Sequence, residues 1–236
     1  MSGNAFSVLK RALHPDIAPG GMSAAGMREL MGFVVAELGR DAELRESVAG
    51  RSYAHPNGFD RISLYREPEG VEVRMHLWWS GVLSDETIHN HAWDFSSLVL
   101  TGTLRFQLLH GAPDGRAYGR YRSSMPPGGG VGDYAFTPEG SSSLEVAVDA
   151  VVPAGTGYRM HRDTYHRVLA SVEGAPLTAT VVVRGPVRKG HSHILVPRGT
   201  RMPGTRSMRH LETDEIVGKL NVLHDCLGQS LSKASS

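Results

Sequence analysis

A series of short strand-like segments between residues 58 and 185 constrains the fold of this 236-residue chain more than any other feature. In VEVRMHLWW, residues 71–79, apolar and polar side chains alternate, as they do in a β-strand. Turns rich in Gly, Pro, Asp and Ser separate the later segments, which are 96–110 (bent at Gly102), 116–124, 132–138, 144–155, 155–160, 166–174 and 176–185. The pattern predicts a mostly β protein built as a single antiparallel sandwich or closed barrel.

Amphipathic helical patterns flank the strands on both sides. One helix is predicted within residues 22–44, a shorter one after Asp41, and a C-terminal one from Thr213. The apolar stripes of the two longer helices are Met27, Leu30, Met31, Val34 and Leu38, and Ile216, Leu220, Leu223 and Leu227. We expect a helical flank over residues 1–57, the barrel over 58–185, and a connector with a helix that packs on the barrel over 186–236.

The composition argues against several classes of function. The 25 basic and 24 acidic residues nearly balance, which gives no indication of a nucleic-acid partner. No apolar run approaches the ~20 residues of a transmembrane helix, so no membrane partner is expected. Cys226 is the single cysteine, which rules out an internal disulfide, and no apolar leader is seen; both features predict a cytoplasmic protein. The GxSxG motif of serine hydrolases is absent.

The positions of the histidines indicate a metal site. His89 and His91 are two residues apart on a predicted strand, so their side chains share a face and lie ~7 Å apart along the backbone. Two such imidazoles can converge on one borderline transition metal. A third ligand would come from a neighbouring strand, and His166, at the start of a strand-like segment, is the best candidate. His161, five residues earlier at a turn, is a second candidate.

These two histidine segments resemble the two sequence motifs of the cupin superfamily. In the first motif a glycine precedes a His-x-His pair, and a glutamate and another glycine follow it; in the second, a glycine precedes a single histidine. The matching residues are Gly81, His89, His91 and Gly102 in the first motif, and Gly157 and His166 in the second. The resemblance covers residues 71–185, and it implies a jelly-roll-like antiparallel β-barrel that binds a metal.

The chain departs from the cupin motif at the family's glutamate ligand, because Phe95 and Ser96 stand there. Asp94 is one residue short, and on a regular strand it would point away from the metal. It is a ligand at a bulge, a residue that orients a histidine, or a turn cap. The resemblance therefore implies a face of three histidines, similar to that of the cysteine dioxygenase-like branch of cupins. In that branch the histidines hold Fe(II) and leave positions open for substrate and O2; Zn, Ni, Cu and Mn are alternative metals.

Polar residues on the barrel strands are candidates for contacts with a substrate. An inward arginine can hold a carboxylate through two parallel hydrogen bonds. The candidate substrate-binding residues are Arg74, His76, Arg105 and Arg159. Tyr158 and Tyr165 are candidate catalytic residues, because a phenol can donate a proton or orient bound oxygen.

A second His-x-His pair, His191 and His193, follows the last predicted barrel strand. Arg188 and Lys189 beside it add positive charge and disfavour a metal, so we expect this pair on a loop or edge strand near the barrel mouth.

The expected function is that of an iron-dependent cupin oxygenase, dioxygenase-like, acting on a small anionic metabolite with O2. Two alternatives remain open. One is a metal-dependent isomerase, epimerase or lyase in which the metal stabilises an enolate. The other is a non-catalytic barrel that binds a small ligand. The helical flanks and exposed strand edges are compatible with a homodimer.

Overall fold

A computed structural model of the chain describes residues 24–82, 86–124, 132–171 and 176–234. Residues 1–23 of the predicted N-terminal flank lie outside the described residues. The helices of the described part are α1 Ala24–Arg40, α2 Ala42–Ala49 and α3 Thr213–Ala234. None of these helices is both long enough and apolar enough to cross a membrane. The strands of the described part are β1 Tyr53–His55, β2 Phe59–Arg66, β3 Glu72–Trp79, β4 Ile88–His89, β5 Phe95–Thr101, β6 Thr103–Ser124, β7 Tyr134–Pro153, β8 Gly157–Met160, β9 Tyr165–Ser171, β10 Leu177–Arg184, β11 Ser192–Pro197, β12 Thr205–Arg206 and β13 Arg209–His210.

The strands form two antiparallel sheets. Sheet A has seven strands in the order β13-β1-β2-β3-β10-β5-β8, and sheet B has six in the order β11-β4-β9-β6-β7-β12, with β11 also pairing with β6. Strands β6 and β7 of sheet B are long and pair with each other. The predicted segment 116–124 therefore continues the strand that begins at Thr103, and the segment 132–138 continues into 144–155. The predicted mostly β, antiparallel architecture with helical flanks is confirmed. The described strands form two sheets on either side of a cavity rather than one closed barrel.

The helices cover the outer face of sheet A, where the main hydrophobic core lies. Strand β3 contributes Val73, Met75 and Leu77 to this core, and the predicted apolar stripes of α1 and α3 are buried against the same cluster. Full burial of one such side chain contributes about 1.5–3 kcal/mol. Asp41 Oδ1 accepts a hydrogen bond from Leu44 N at 2.9 Å, which caps the start of α2. The helices therefore fix sheet A from the side opposite to sheet B.

The inner face of sheet A carries both polar and apolar side chains and lies against the cavity between the sheets. Arg74, His76 and Trp78 alternate with the core residues of β3 and line this cavity. Arg74 and Trp78 are buried and His76 is half-buried. Both faces of β3 are therefore inside the protein, one against the helices and the other against the cavity.

Gly102 connects β5 of sheet A to β6 of sheet B. Its φ angle of 72° lies in the left-handed region, which favours glycine. A Cβ atom at this position would lie 2.2 Å from Thr178 Oγ1 on β10, so a larger residue would have to displace that strand. The predicted bend is the point at which the chain passes from one sheet to the other.

Candidate metal centre and cavity

The first His-x-His pair lies on and just after β4, a strand of two residues between β9 and β11. His89 is the antiparallel partner of both His166 on β9 and Ile194 on β11. The N–H group of His91 donates to Arg162 O at 3.0 Å, in the turn that leads into β9. These backbone contacts bring the first pair and the distant third histidine together.

The imidazole rings of His89, His91 and His166 form one compact cluster. The ring centroids are 4.9 Å apart for His89 and His91, 4.5 Å for His89 and His166, and 5.0 Å for His91 and His166. One nitrogen from each ring lies within 4.8 Å of the other two. No other group of three His, Cys, Asp or Glu side chains in the described part of the chain meets this condition.

Backbone carbonyl groups orient two of the three rings. His89 Nδ1 lies 2.8 Å from Thr87 O, and His166 Nδ1 lies 3.2 Å from Thr164 O. Because a carbonyl oxygen only accepts hydrogen bonds, each Nδ1 is the donor, which leaves Nε2 as the atom of each ring that a metal can use. Burial lowers the pKa of His166 to about 3 and that of His91 well below its ordinary value. Both rings are therefore neutral near pH 7, as a metal ligand must be.

The three nitrogens fit a divalent transition metal. Imidazole is a good ligand for Fe, Zn, Cu and Ni. Metal–nitrogen bonds are about 2.0–2.1 Å long, so small inward rotations of the rings would bring all three nitrogens to one ion. Three neutral ligands add no charge, so a bound divalent ion would present its double positive charge to the cavity.

Asp94 and His161 lie beside the histidine cluster and not within it. Asp94 Oδ1 accepts a hydrogen bond from Arg162 N at 2.7 Å, and its Oδ2 accepts one from Arg162 Nη1 at 3.0 Å. His161 is exposed, with its Nε2 3.7 Å from Asp94 Oδ1. Of the alternatives for Asp94, the geometry corresponds to a turn cap that holds the approach to β9.

The histidine cluster forms part of the wall of a cavity of about 150 Å³ between the sheets. A cavity of this size in another protein accommodates benzene, so the ligand it fits is small. Aromatic side chains surround the histidines: the ring of Trp93 stacks on His91 at 5.3 Å, and Phe95 lies edge-on to His91 at 5.1 Å. This wall limits the access of water to the cluster.

Three of the predicted substrate-binding and catalytic residues line the cavity, namely Arg74, His76 and Tyr158. The Nε2 atom of His76 is buried and has no hydrogen-bond partner among the described residues. Burial raises the pKa of Tyr158 to about 12. Its phenol is therefore protonated at neutral pH and can donate a hydrogen bond into the cavity.

Arg105 lies on the outside of sheet B, which corrects its expected place in the cavity. Its guanidinium group is half exposed and forms two hydrogen bonds of 2.7 Å with the carboxylate of Asp149. The neighbouring Leu104 and Phe106 face inward, so strand alternation turns Arg105 outward.

Arg159 and Tyr165 also lie outside the cavity lining. On β8, Tyr158 and Met160 face the cavity, and Arg159 between them is exposed. Tyr165 immediately precedes His166 on β9 and therefore takes the opposite face of that strand.

Glu86 lines the cavity, although no sequence pattern singled it out. Its side chain is buried, and its carboxylate accepts a hydrogen bond from Val168 N and makes another with the Asn57 side chain. Burial raises the pKa of Glu86. Since Val168 follows His166 by two residues on β9, this contact ties the segment before β4 to the strand of the third histidine. An acidic residue three positions before His89 was the available signal, and it does not reveal burial.

Other cavity residues come from strands β1 and β2, which the sequence patterns did not identify as part of the site. These residues are Tyr53, His55, Phe59 and Arg61, and they are joined by Tyr134 and Arg206 from sheet B. Their contribution depends on the pairing of β1 and β2 with β3, which is a long-range property of the sheet.

The second histidine pair lies outside the cavity lining. On β11, Ser192 and Ile194 face the cavity, so His193 between them faces away. His193 Nε2 lies 3.0 Å from Glu139 Oε2, and the same carboxylate pairs with Arg122. His193 thus lies on β11, and His191 lies just before the start of that strand.

Comparisons with known proteins give only partial similarities. No protein-family model and no curated protein sequence matches the chain. Among solved structures, hydroxypropylphosphonic acid epoxidase from S. wedmorenis in complex with fosfomycin aligns over 57% of this chain and 55% of its own, with 14% identity and a TM-score of 0.35. A structure from work on the DMSP lyases RdDddP and RnDddQII aligns over 57% of this chain and 51% of its own, with 14% identity and a TM-score of 0.34.

An iron(II) form of HppE aligns over 54% of this chain and 50% of its own, with 15% identity and a TM-score of 0.32. The chain thus spans about half the length of the solved structures that it matches. Similarity at this level says nothing about activity, which has to be inferred from the geometry of the cavity.

Proposed function

We propose that the chain is a metal-dependent, cupin-like enzyme, and that it is a non-heme iron oxygenase acting on a small anionic metabolite. One observation carries the proposal: the three imidazole nitrogens of His89, His91 and His166 lie within 4.8 Å of one another in the wall of a small cavity. Three imidazole nitrogens that converge in this way, two of them on rings oriented by backbone carbonyl groups, are a donor set that suits a divalent transition metal.

The side chains around the cluster supply the other requirements of such an enzyme. Arg74 gives the cavity a buried positive charge that attracts an acidic substrate. The aromatic wall limits the access of water, and the protonated phenol of Tyr158 can donate a hydrogen bond to a developing negative charge. Bound Fe(II) would supply electrons for the reduction of O2 and positive charge that acidifies a coordinated substrate group.

The test is metal analysis of protein purified without chelators, followed by oxygen-electrode measurements with small amino, thiol and keto acids. We expect iron in the purified protein and O2 uptake that requires both iron and substrate. His210→Ala, which removes an exposed histidine from β13, is a control variant. Its O2 uptake should equal that of the unmodified protein. Substrate turnover that requires the metal but consumes no O2 would contradict the oxygenase.

A metal-dependent lyase or isomerase is the second candidate, and Glu86 favours it. A buried carboxylate with a raised pKa in the same cavity is the kind of group that removes a proton from carbon next to a metal-stabilised enolate. This candidate predicts incorporation of solvent deuterium into the substrate, lost in Glu86→Gln. Binding of a small ligand that survives complete metal removal, without turnover of any kind, would instead indicate a non-catalytic binding protein.

A further inference from the structure

Three arginine side chains are buried together at the cavity with only one carboxylate between them. Arg61, Arg74 and Arg184 are 6%, 5% and 2% exposed, and Glu72 is 1% exposed. The three arginines all line the cavity that contains the histidine cluster. Buried charges in folded proteins are normally paired, since removing a charge from water is costly.

Glu72 forms ion pairs with two of the three arginines, Arg61 and Arg184. One carboxylate oxygen, Oε1, accepts hydrogen bonds from Arg61 Nη2 and from Ser63 Oγ, the latter at 2.7 Å. The other oxygen, Oε2, accepts one from Arg184 Nε at 2.6 Å. Although burial alone would raise it, the three surrounding guanidinium groups hold the pKa of Glu72 well below its usual range. This carboxylate is ionised, and its hydrogen bonds go to Arg61, Ser63 and Arg184 and not to Arg74.

Arg74 has no anionic partner of its own. Its Nε atom is buried and finds no hydrogen-bond acceptor in the described part of the chain. The guanidinium group lies over the Trp93 ring, 5.4 Å from its centroid. Burial and the nearby Arg61 lower the pKa of Arg74 to about 10, which reflects the cost of its charge in this position.

No other buried carboxylate among the described residues neutralises the cluster. Besides Glu72, only Asp60 and Glu86 are buried acidic residues there. Asp60 accepts hydrogen bonds from Trp79 Nε1 and Lys219 Nζ, at 2.6 and 2.7 Å, and Glu86 is engaged with Val168. Three guanidinium groups against one carboxylate leave two uncompensated positive charges.

The arginines and the histidine cluster lie against the same indole ring. His91 stacks on Trp93 with the ring centroids 5.3 Å apart, and Arg184 Cζ lies 4.8 Å from the Trp93 centroid. A short molecule in this cavity can therefore reach the histidines with one end and the arginines with the other.

We propose that Arg74, supported by Arg61 and Arg184, forms a binding subsite for a doubly charged anionic group, so that the substrate is a small molecule bearing a phosphate-like dianion or two carboxylates. Guanidinium groups bind both kinds of anion through paired hydrogen bonds. A single carboxylate would leave one of the two positive charges uncompensated. The assignment of this anion as part of the substrate rests on the proposed function; the existence of the subsite does not.

The test is calorimetric titration of metal-free protein with inorganic phosphate, malonate and acetate. We expect phosphate or malonate to bind at least about tenfold more tightly than acetate, because only the dianions neutralise both charges. Tighter binding of phosphate supports a phosphate-like group, and tighter binding of malonate supports a dicarboxylate. Arg74→Gln should weaken dianion binding by at least about tenfold, because a charge-assisted pair is lost. The matched control Arg40→Gln, which removes an exposed arginine at the end of α1, should have no effect.

Thermal unfolding separates a binding role of Arg74 from a purely structural one. Arg74→Met removes an uncompensated buried charge, so its melting temperature without anion should equal or exceed that of the unmodified protein. Phosphate or malonate should raise the melting temperature of the unmodified protein and not that of Arg74→Met. The subsite would be overturned if Arg74→Met without anion melted at a lower temperature than the unmodified protein. Equal affinities of the unmodified protein for acetate and both dianions would overturn it as well.

These experiments are independent of the oxygenase proposal. Dianion binding that depends on Arg74, without O2 uptake for any dianionic acid, would leave the subsite in place and contradict the oxygenase. Oxygen uptake with monoanionic acids, together with no binding of dianions, would support the oxygenase and contradict the subsite.

Discussion

Two His-x-His pairs occur in this chain, and among the residues that the structure describes only the first belongs to a cluster of three side chains that could hold a metal ion. Their internal geometry is nearly the same: the ring centroids are 4.9 Å apart for His89 and His91, and 5.1 Å apart for His191 and His193. The two pairs are also neighbours. Asn90 of the first pair donates its N–H to His193 O at 3.1 Å and accepts from His193 N through its side chain at 2.7 Å.

The difference between the pairs comes from what faces them. His89 on β4 faces the cavity, and His166 stands directly beside it on β9. His193 on β11 faces the other side of sheet B, where Glu139 binds its Nε2 and Arg122 binds Glu139. A His-x-His spacing therefore brings two rings together, but a third ligand and a free Nε2 decide whether they can hold an ion.

The sharpest way to break this comparison is to remove the third histidine. We expect His166→Ala to weaken metal binding by at least about 100-fold, or ~2.7 kcal/mol, because two imidazoles remain and the free energy of the third bond is lost. His193→Ala is the matched control, and its metal affinity should equal that of the unmodified protein. Competition with a chromophoric chelator measures both. An equal loss in the two variants would show that the ion lies elsewhere.

A smaller effect on metal affinity is expected at Glu86. Its carboxylate joins the segment before β4, the strand of His89, to β9, the strand of His166. Glu86→Ala leaves the buried N–H of Val168 without its acceptor, and we expect metal affinity to fall by about tenfold, as for other residues that orient ligands. Glu86→Gln keeps an oxygen that can accept the hydrogen bond, so it should retain most of the affinity. Equal losses in both variants would indicate that the carboxylate charge itself contacts the metal.

A still smaller effect is expected at Asp94, the carboxylate nearest to the cupin glutamate position. It bonds to the backbone and side chain of Arg162 and does not belong to the histidine cluster. Asp94→Asn keeps an oxygen for Arg162 N and loses only a half-exposed ion pair worth ~0–1 kcal/mol, so metal affinity should change by less than about fivefold. The same competition assay measures it, and a loss comparable with that of His166→Ala would make Asp94 a ligand.

The sequence predicted those parts of the site that depend on local spacing. Alternation identified β3 and placed Arg74 and His76 on a common face. The position of His166 at the start of a strand-like segment made it the candidate third ligand, and the motif resemblance then matched it. Alternation alone could not say which face of β3 lines the cavity, because the helices bury the other face. The same rule, applied to Leu104 and Phe106, would have placed Arg105 outside.

Residues whose role depends on long-range pairing could not be predicted. Arg61 reaches Glu72 only because β2 pairs with β3 in a particular register, and Arg184 reaches it from β10 on the other side of β3. Glu86 is buried, and its carboxylate bonds to Val168 of the distant strand β9. No pattern within a single segment contains that information, since each contact joins strands far apart in the chain.

The last prediction concerns the second pair, where no metal effect is expected and the protonation of His193 can be followed instead. Burial lowers the pKa of His193, while the hydrogen bond and charge of Glu139 partly oppose that shift. Glu139→Gln should therefore lower the pKa of His193 further. Because the unfolded chain, with a His pKa of about 6.5, then binds more protons than the folded one, this group's contribution to stability decreases as pH falls from ~6.5 to its folded pKa. Glu139→Gln widens this pH range.

NMR titration of the imidazole Cε1 proton measures the shift in the pKa of His193, with the exposed His110 beside Glu145 as the internal control. An unchanged pKa for His193 in the variant would mean that Glu139 does not bind the ring in solution, and the contrast between the two pairs would then rest on the third histidine alone.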